Sequence, residues 1–303
     1  MLRVRKQIGC TQELVTSCGA EGVTVAILDT GIARHPDFDD RIIAFRDFVN
    51  DKREPYDDSG HGTHVAGCLS GSGKLSEGIY MGIAPVSRLV VGKVLNQNGD
   101  GMVEQMVKGL EWILAYQDKY RIRILNISIG VGECAQKEKM NKLLALVDAA
   151  WDSGMVVVCA AGNGGPKTMS LSPIGERHRV ITVGCHEGGY FGKKEHLCEN
   201  YSGRGPSPYD MRKPDLVAPG TDIVSCNAFA VKRGKRFQNA YIAKSGTSMA
   251  TPIVSGAAAL LLQKYPAYTN EQVKRKLHQC AYDLKEPWCK QGYGMIQINS
   301  LLT

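Results

Sequence analysis

The chain has little that would carry it into or across a membrane. Its N-terminus, "MLRVRKQIGC", has charge but no apolar run of the kind a secretory leader requires. The apolar stretch Ile253–Leu262 is too short to span a bilayer. The ten cysteines include no CxxC pair and no Cys/His metal spacing. Cys68, Cys159 and Cys185 fall in or beside segments that read as buried helix or strand. Free thiols in a reducing compartment are therefore expected, which implies a cytoplasmic protein; the alternative is a secreted mature domain without its leader. No GxGxxG turn follows the first strand-like run, which excludes a dinucleotide-binding fingerprint there. Repeats, low-complexity segments and linkers are also missing, so a single domain over residues 1–303 is expected.

The net charge of +7 is spread along the chain, with one dense run, "VKRGKR", from Val231 to Arg236. It has no interleaved aromatics and no basic helical face accompanies it, so it reads as a solvated loop and nucleic-acid binding is not expected. Nothing in the sequence sets an oligomeric state.

The hydrophobic fraction of 43% is enough for a sizeable core. Apolar, β-branched runs predict strands at Val23–Leu28, Leu89–Val94, Ile122–Ile129, Met155–Ala160 and Val180–Gly184. Because these runs hardly alternate, the sheet should be covered on both faces. Helical spacing marks Val103–Tyr120, through Val103, Met106, Val107, Leu110 and Leu114. It also marks Lys139–Ser153, through Leu143, Leu144, Val147 and Trp151, with Gly154 as the stop. Alternation of the two element types predicts a three-layer α/β fold around a mostly parallel sheet.

Sites in such folds form beyond the carboxyl ends of the strands. Asp29 follows the first strand, and Asn163, in "AGNGG", follows the fourth. "DDSGHGTHVAG" sets His61 between two glycines, just before a helix expected to start near Thr63 and to contain His64. "SGTSMATP" opens an apolar helix with hydroxyls, a glycine and Pro252. By themselves these hydroxyls read first as helix caps, with a nucleophile as the alternative. Together, an acid, an imidazole, an amide and a serine form the inventory of a Ser-His-Asp hydrolase with a side-chain oxyanion donor.

The blocks "VAILDTGI", "GHGTHVAG", "AAGN" and "SGTSMATP", in that order, resemble the signature blocks of the subtilisin-like serine proteases. "YSGRGP…RKPDLVAPG" and the closing "YGMIQIN" are similar to that family too, and "EPYDDSGHGTHVAG" resembles its intracellular alkaline-protease branch. The resemblance implies a subtilisin-like fold and serine endopeptidase activity. It implies Asp29, His61 and Ser248 as the triad and Asn163 as the oxyanion amide, with His64 structural. An extended peptide or protein substrate would lie between Gly99, Asp100 and Gly101 on one side and a first specificity pocket on the other. That pocket would be flanked by Ser128, Ile129 and Gly130 and by Ala160, Ala161 and Gly162.

Three departures from the family pattern stand out. Val131 occupies a position where the family commonly has a second glycine, so no residue preference is carried over. The loop "LSGSGKLSEGIYMG", where secreted members often bind calcium, has Glu77 as its only acid, so no calcium is expected at that loop; no cofactor is expected, with calcium elsewhere in the chain as the alternative. About twenty residues precede the first strand, which resembles a mature enzyme without a prodomain. The rival reading is a subtilase-fold protein that binds or senses without chemistry; such proteins typically lack a triad member.

Overall fold

The computed structural model describes residues 1–130, 137–192, 195–207, 211–234 and 236–303. Its centre is a seven-stranded sheet built from β1 (Thr24–Asp29), β2 (Ile42–Asp47), β3 (Arg88–Lys93), β4 (Ile122–Ile127), β5 (Val156–Ala160), β6 (Ile181–Cys185) and β7 (Leu216–Ala218). The spatial order is β2-β3-β1-β4-β5-β6-β7, and every pairing is parallel. All residues of β1, β5 and β6 are buried, as a sheet covered on both faces requires.

Among the described residues ten helices flank the sheet or close its ends, and eight matter here: α1 (Leu2–Gln7), α2 (Gln12–Cys18), α3 (His61–Ser70), α4 (Val103–Ala115), α5 (Gln117–Tyr120), α6 (Lys137–Asp152), α7 (Thr247–Lys264) and α8 (Asn270–Gln279). α3 packs on α7, and α7 runs beneath β4, β5 and β6; α4 and α6 pack together over β1 and β5. The apolar side chains from both layers merge with those of the sheet into one core cluster.

The five expected strands and the two expected helices are present, with boundaries shifted by a few residues. The helix expected over Val103–Tyr120 divides at Tyr116 into α4 and α5. α3 starts at His61 rather than near Thr63. Sequence pattern missed β2 and β7. β2 is an edge strand, burying mainly its last residue, and β7 has three residues. Periodicity needs longer or more evenly buried runs than these. The basic run is a hairpin rather than a plain loop: β9 (Val231–Arg233) pairs with β10 (Arg236–Gln238), leading from β8 (Ile223–Cys226) to β11 (Tyr241–Lys244). It is exposed, as a solvated segment should be.

Candidate active site

Strand order reverses about β1: the chain adds β3 on one side and later β4 on the other. Connections leave in opposite directions there and open a crevice at the carboxyl ends. Asp29, the last residue of β1, stands at that point and is fully buried. Its Oδ1 accepts from the Thr30 N–H at 2.7 Å and from His61 Nδ1 at 2.7 Å. Since Nδ1 faces a carboxylate it carries the proton, and Nε2 is left as the basic nitrogen. The other oxygen, Oδ2, is buried with no hydrogen-bond partner.

The imidazole is the first residue of α3, and the start of that helix is tightly braced. Asp57 accepts from the Thr63 N–H and hydroxyl at 2.8 and 2.7 Å through one oxygen. Its other oxygen accepts from the Thr30 hydroxyl at 2.8 Å and from the N–H groups of Ser59 and Gly60. Thr30 in turn accepts from the Gly62 N–H at 2.9 Å. Gly62 cannot carry a side chain, because a Cβ there would sit 2.2 Å from the Gly31 carbonyl oxygen. The glycine after His61 thus lets α3 press against the turn that follows Asp29. Burial lowers the His61 pKa, but the Asp29 charge and hydrogen bond raise it, and the balance leaves it above its ordinary value. One turn along, burial pushes His64 down to about 3, and its Nε2 lies 2.8 Å from the Ile223 carbonyl. A neutral, donating imidazole is what a structural histidine needs in that setting.

Ser248 is the second residue of α7 and is half-buried. Pro252, four residues on, has no N–H to give the Ser248 carbonyl. Thr247 donates its N–H at 3.2 Å and its hydroxyl at 3.1 Å to Asn163 Oδ1. With its oxygen held, the Asn163 amide presents Nδ2 as the free donor. Gly246 has φ +148, and a Cβ on it would lie 3.7 Å from Asn163 Nδ2 and 3.8 Å from Ser248 N. Two N–H donors therefore flank one small space that only a glycine leaves open.

His61 and Ser248 line a single cleft of about 260 Å³. Asn98 and Gly99 line it as well, and Ser128, Ile129 and Gly130 form another part of its wall. Ser128 is tied to α7: its hydroxyl accepts from Asn126 Nδ2 at 2.8 Å, and Asn126 Oδ1 accepts from Ser255 of that helix at 2.8 Å. His61 and Ser248 are not directly hydrogen-bonded here; such contacts are often long before substrate arrives. Asp100 and Gly101 lie further along the turn, outside the cleft lining. Asn96 Oδ1 shapes that turn by accepting from Asn98 N and Asp100 N. Ala160, Ala161 and Gly162 are also outside it, and the first two carbonyls are taken by the Ser172 hydroxyl and N–H. Val131 falls outside the described residues.

Sequence reasoning overlooked Thr30, Asp57, Lys93 and Lys244. Asp57 had a signal, since an acid shortly before a helix start commonly accepts from its first N–H groups. Lys93 had one as well, as a lone cation in an apolar strand. Its buried ammonium donates to the Thr30 and Leu95 carbonyls at 2.6 and 2.8 Å and to Asp58 at 2.7 Å. Lys244 lines the cleft, although nothing in its sequence neighbourhood announces this.

A family model described as the Subtilase family matches residues 20–295. The chain belongs to the subtilase family. It is 42% identical over 268 residues to the serine protease AprX of Bacillus subtilis (strain 168), covering 85% of this chain and 60% of that protein. It is 33% identical to the thermostable alkaline protease of Halalkalibacterium halodurans, covering 91% of this chain and 66% of that protein. The chain thus spans about two thirds or less of the length of these two relatives. Among solved structures, Sphericase superposes with a TM-score of 0.76 at 26% identity, covering 92% of both chains. A cold-adapted subtilisin-like serine proteinase superposes with a TM-score of 0.71 at 27% identity, covering 92% of this chain and 89% of that one.

The loop at which secreted subtilases often hold calcium is organised here around a carboxylate. Asp37 accepts from Gly73 N at 3.0 Å, from Leu75 N at 3.3 Å and from the Tyr241 hydroxyl at 2.9 Å, with the Cys226 thiol 3.6 Å away. Asp37, His35 and Cys226 are buried, and their ligand-type atoms lie within 4.8 Å of one another. However, His35 Nδ1 already accepts from the Asp37 N–H at 3.1 Å. Donors aimed at an anion do not fit a cation, and Glu77 is exposed.

Proposed function

We propose that this subtilase is a serine endopeptidase acting through an acyl-enzyme. The observation that carries the reading is that His61, held at 2.7 Å by Asp29, lines the same cleft as Ser248. His61 Nε2 takes the Ser248 proton as the hydroxyl attacks the peptide carbonyl, and gives it to the departing amine. Asp29 holds the Nδ1–H tautomer and stabilises the imidazolium. Asn163 Nδ2 and Ser248 N receive the oxyanion in the space beside Gly246, where the N-terminus of α7 adds partial positive charge. The substrate is an extended peptide or protein segment, lying along Ser128–Gly130 and the Asn98–Gly101 turn, with Ala160–Gly162 behind the oxyanion donor.

Calcium has no part in this reading at the Asp37 loop, because the carboxylate there is occupied by donors of the chain itself. A reducing compartment is also part of it. Eight described cysteines are unpaired, and burial pushes Cys159 up to about 12 and Cys10 and Cys68 up to about 11. Such thiols stay protonated and inert.

The test is labelling with a fluorophosphonate, read by intact mass and peptide mapping. Stoichiometric modification at Ser248, abolished in His61→Gln, is expected. No modification would instead favour a binding protein on a subtilase fold.

A further inference from the structure

Besides the imidazole, the described lining of the cleft carries one basic side chain and no acid. Lys244 is the last residue of β11, four positions before the nucleophile, paired across the ladder with Ile223. It is half-buried, and among the described residues its ammonium has neither an ion pair nor a hydrogen bond. Among the described residues no acid pairs with it: Asp57 is filled by its five donors, Asp58 pairs with Lys93, and Asp222, beside the ladder partner Ile223, forms no ion pair with Lys244. The charge nevertheless reaches the reacting groups, since Lys244 opposes Asp29 in its effect on His61.

The acyl part is fixed by Ser248 Oγ and the two oxyanion donors. The amine leaves past the imidazole that protonates it. On that side stands Phe229, 56% exposed, whose ring edge would lie 3.1 Å from a Cβ at Gly60, the residue before His61. Phe229 and Lys244 bracket the segment that holds the β9–β10 hairpin. Lys232, Arg233 and Arg236 of that hairpin are exposed and, among the described residues, without ion-pair partners. On the other wall the described lining residues, Asn98, Gly99 and Ser128–Gly130, carry no charge, and Asp100 lies further along the turn.

We propose that Lys244 selects substrates carrying Asp or Glu within the first two residues after the scissile bond, with the hairpin cations extending the same field outward. This rests on the peptidase reading above. A free ammonium in a partly enclosed cleft is attracted to a carboxylate more strongly than in open water, and a cationic side chain on the leaving segment is repelled.

The experiment uses three internally quenched peptides, identical except for Glu, Gln or Lys at the first two positions after the cleaved bond. Wild type, Lys244→Gln and Lys244→Glu are compared. Wild type is expected to give kcat/KM in the order Glu, Gln, Lys, with about tenfold between the extremes at low salt. The ratio should shrink from about 20 mM to about 0.5 M salt as screening shortens the Debye length. Lys244→Gln should remove most of the ratio and Lys244→Glu reverse it. Using ratios within each variant cancels any change in overall activity. Equal cleavage of all three by wild type, or a preference that survives Lys244→Gln, overturns the proposal and leaves the peptidase reading standing. Cleavage of none of them by protein that also fails to react with a fluorophosphonate overturns both.

Discussion

The two sides of the cleft are built on different principles. On the imidazole side, Asp57 accepts five hydrogen bonds, Thr30 joins it to Gly62, and Lys93 ties the Thr30 carbonyl to Asp58. On the serine side, Ser248 Oγ, Asn163 Nδ2 and Ser248 N make no hydrogen bond among the described residues, and a Cβ at Gly246 would lie 3.7 and 3.8 Å from the two nitrogens. In the proposed mechanism the base is fixed by a filled network, whereas the groups that would meet developing charge are kept unfilled. Donors already satisfied by the protein could not strengthen as an oxyanion forms, so the proposed mechanism puts the rate on the sparse side. The dense side is where the fold and the catalytic geometry share the same bonds.

That contrast says what each substitution should cost. The largest loss is expected from Ser248→Ala, about a million-fold in kcat, the size measured for the nucleophile in a subtilisin. Its thermal midpoint should stay at the wild-type value, since Ser248 Oγ holds nothing. Retention of wild-type turnover in the purified variant would break the assignment. Next comes Asn163→Ala, with kcat lower by about two to three orders of magnitude and KM little changed, again a magnitude known from a subtilisin. An effect confined to KM would make Asn163 a contact for bound substrate rather than for the oxyanion.

The imidazole side should behave differently, losing stability along with rate. Asp57→Asn replaces one acceptor oxygen by an N–H2 group facing buried donors. A cost of about 2–4 kcal/mol is expected, because stranding buried donors is what makes such changes severe. The measurement is urea unfolding of Ser248→Ala and Ser248→Ala/Asp57→Asn, the common background preventing self-digestion. Equal midpoints would mean that the network is decorative and that the contrast between the two sides fails.

How far the sequence revealed this site follows the same division. Asp29, His61, Asn163 and Ser248 each sit at a strand or helix end, and each lies in a short block whose neighbours are glycine or small residues. Chemistry and local pattern coincide there, which makes them visible. The long β1, β3, β4, β5 and β6 were legible because burial on both faces writes continuous apolar runs. What stayed hidden depends on contacts distant in sequence. Thr30 meets Asp57 across 27 residues, Thr247 meets Asn163 across 84, and no local pattern encodes either. Lys244 is the extreme case: a lysine at the end of a short strand is ordinary until the fold turns it into the wall of a cleft.

The smallest expected effect separates the two histidines of α3 by pH. His61 has its pKa raised by Asp29 against the opposing effect of burial, whereas burial pushes His64 down to about 3. Only neutral His61 can accept the Ser248 proton, so kcat/KM should rise with pH through one ionisation lying above the ordinary histidine value of about 6.5. Stability must run the other way for the same group. A raised folded pKa means that the folded chain holds the proton more tightly than the unfolded chain. The stabilisation from His61 is therefore complete below about 6.5 and lost as pH rises through the folded value. For His64 the sign reverses: its contribution is present above about 6.5 and is lost as pH falls toward about 3. Adding His61→Gln to the Ser248→Ala background should thus cost more stability at pH about 6 than at pH about 9, whereas His64→Gln should cost more at pH about 7 than at pH about 4. If removing His61 cost the same at both of its pH values, the imidazole would not be gaining its proton affinity from Asp29, and the acid and base of the cleft would be neighbours without being coupled.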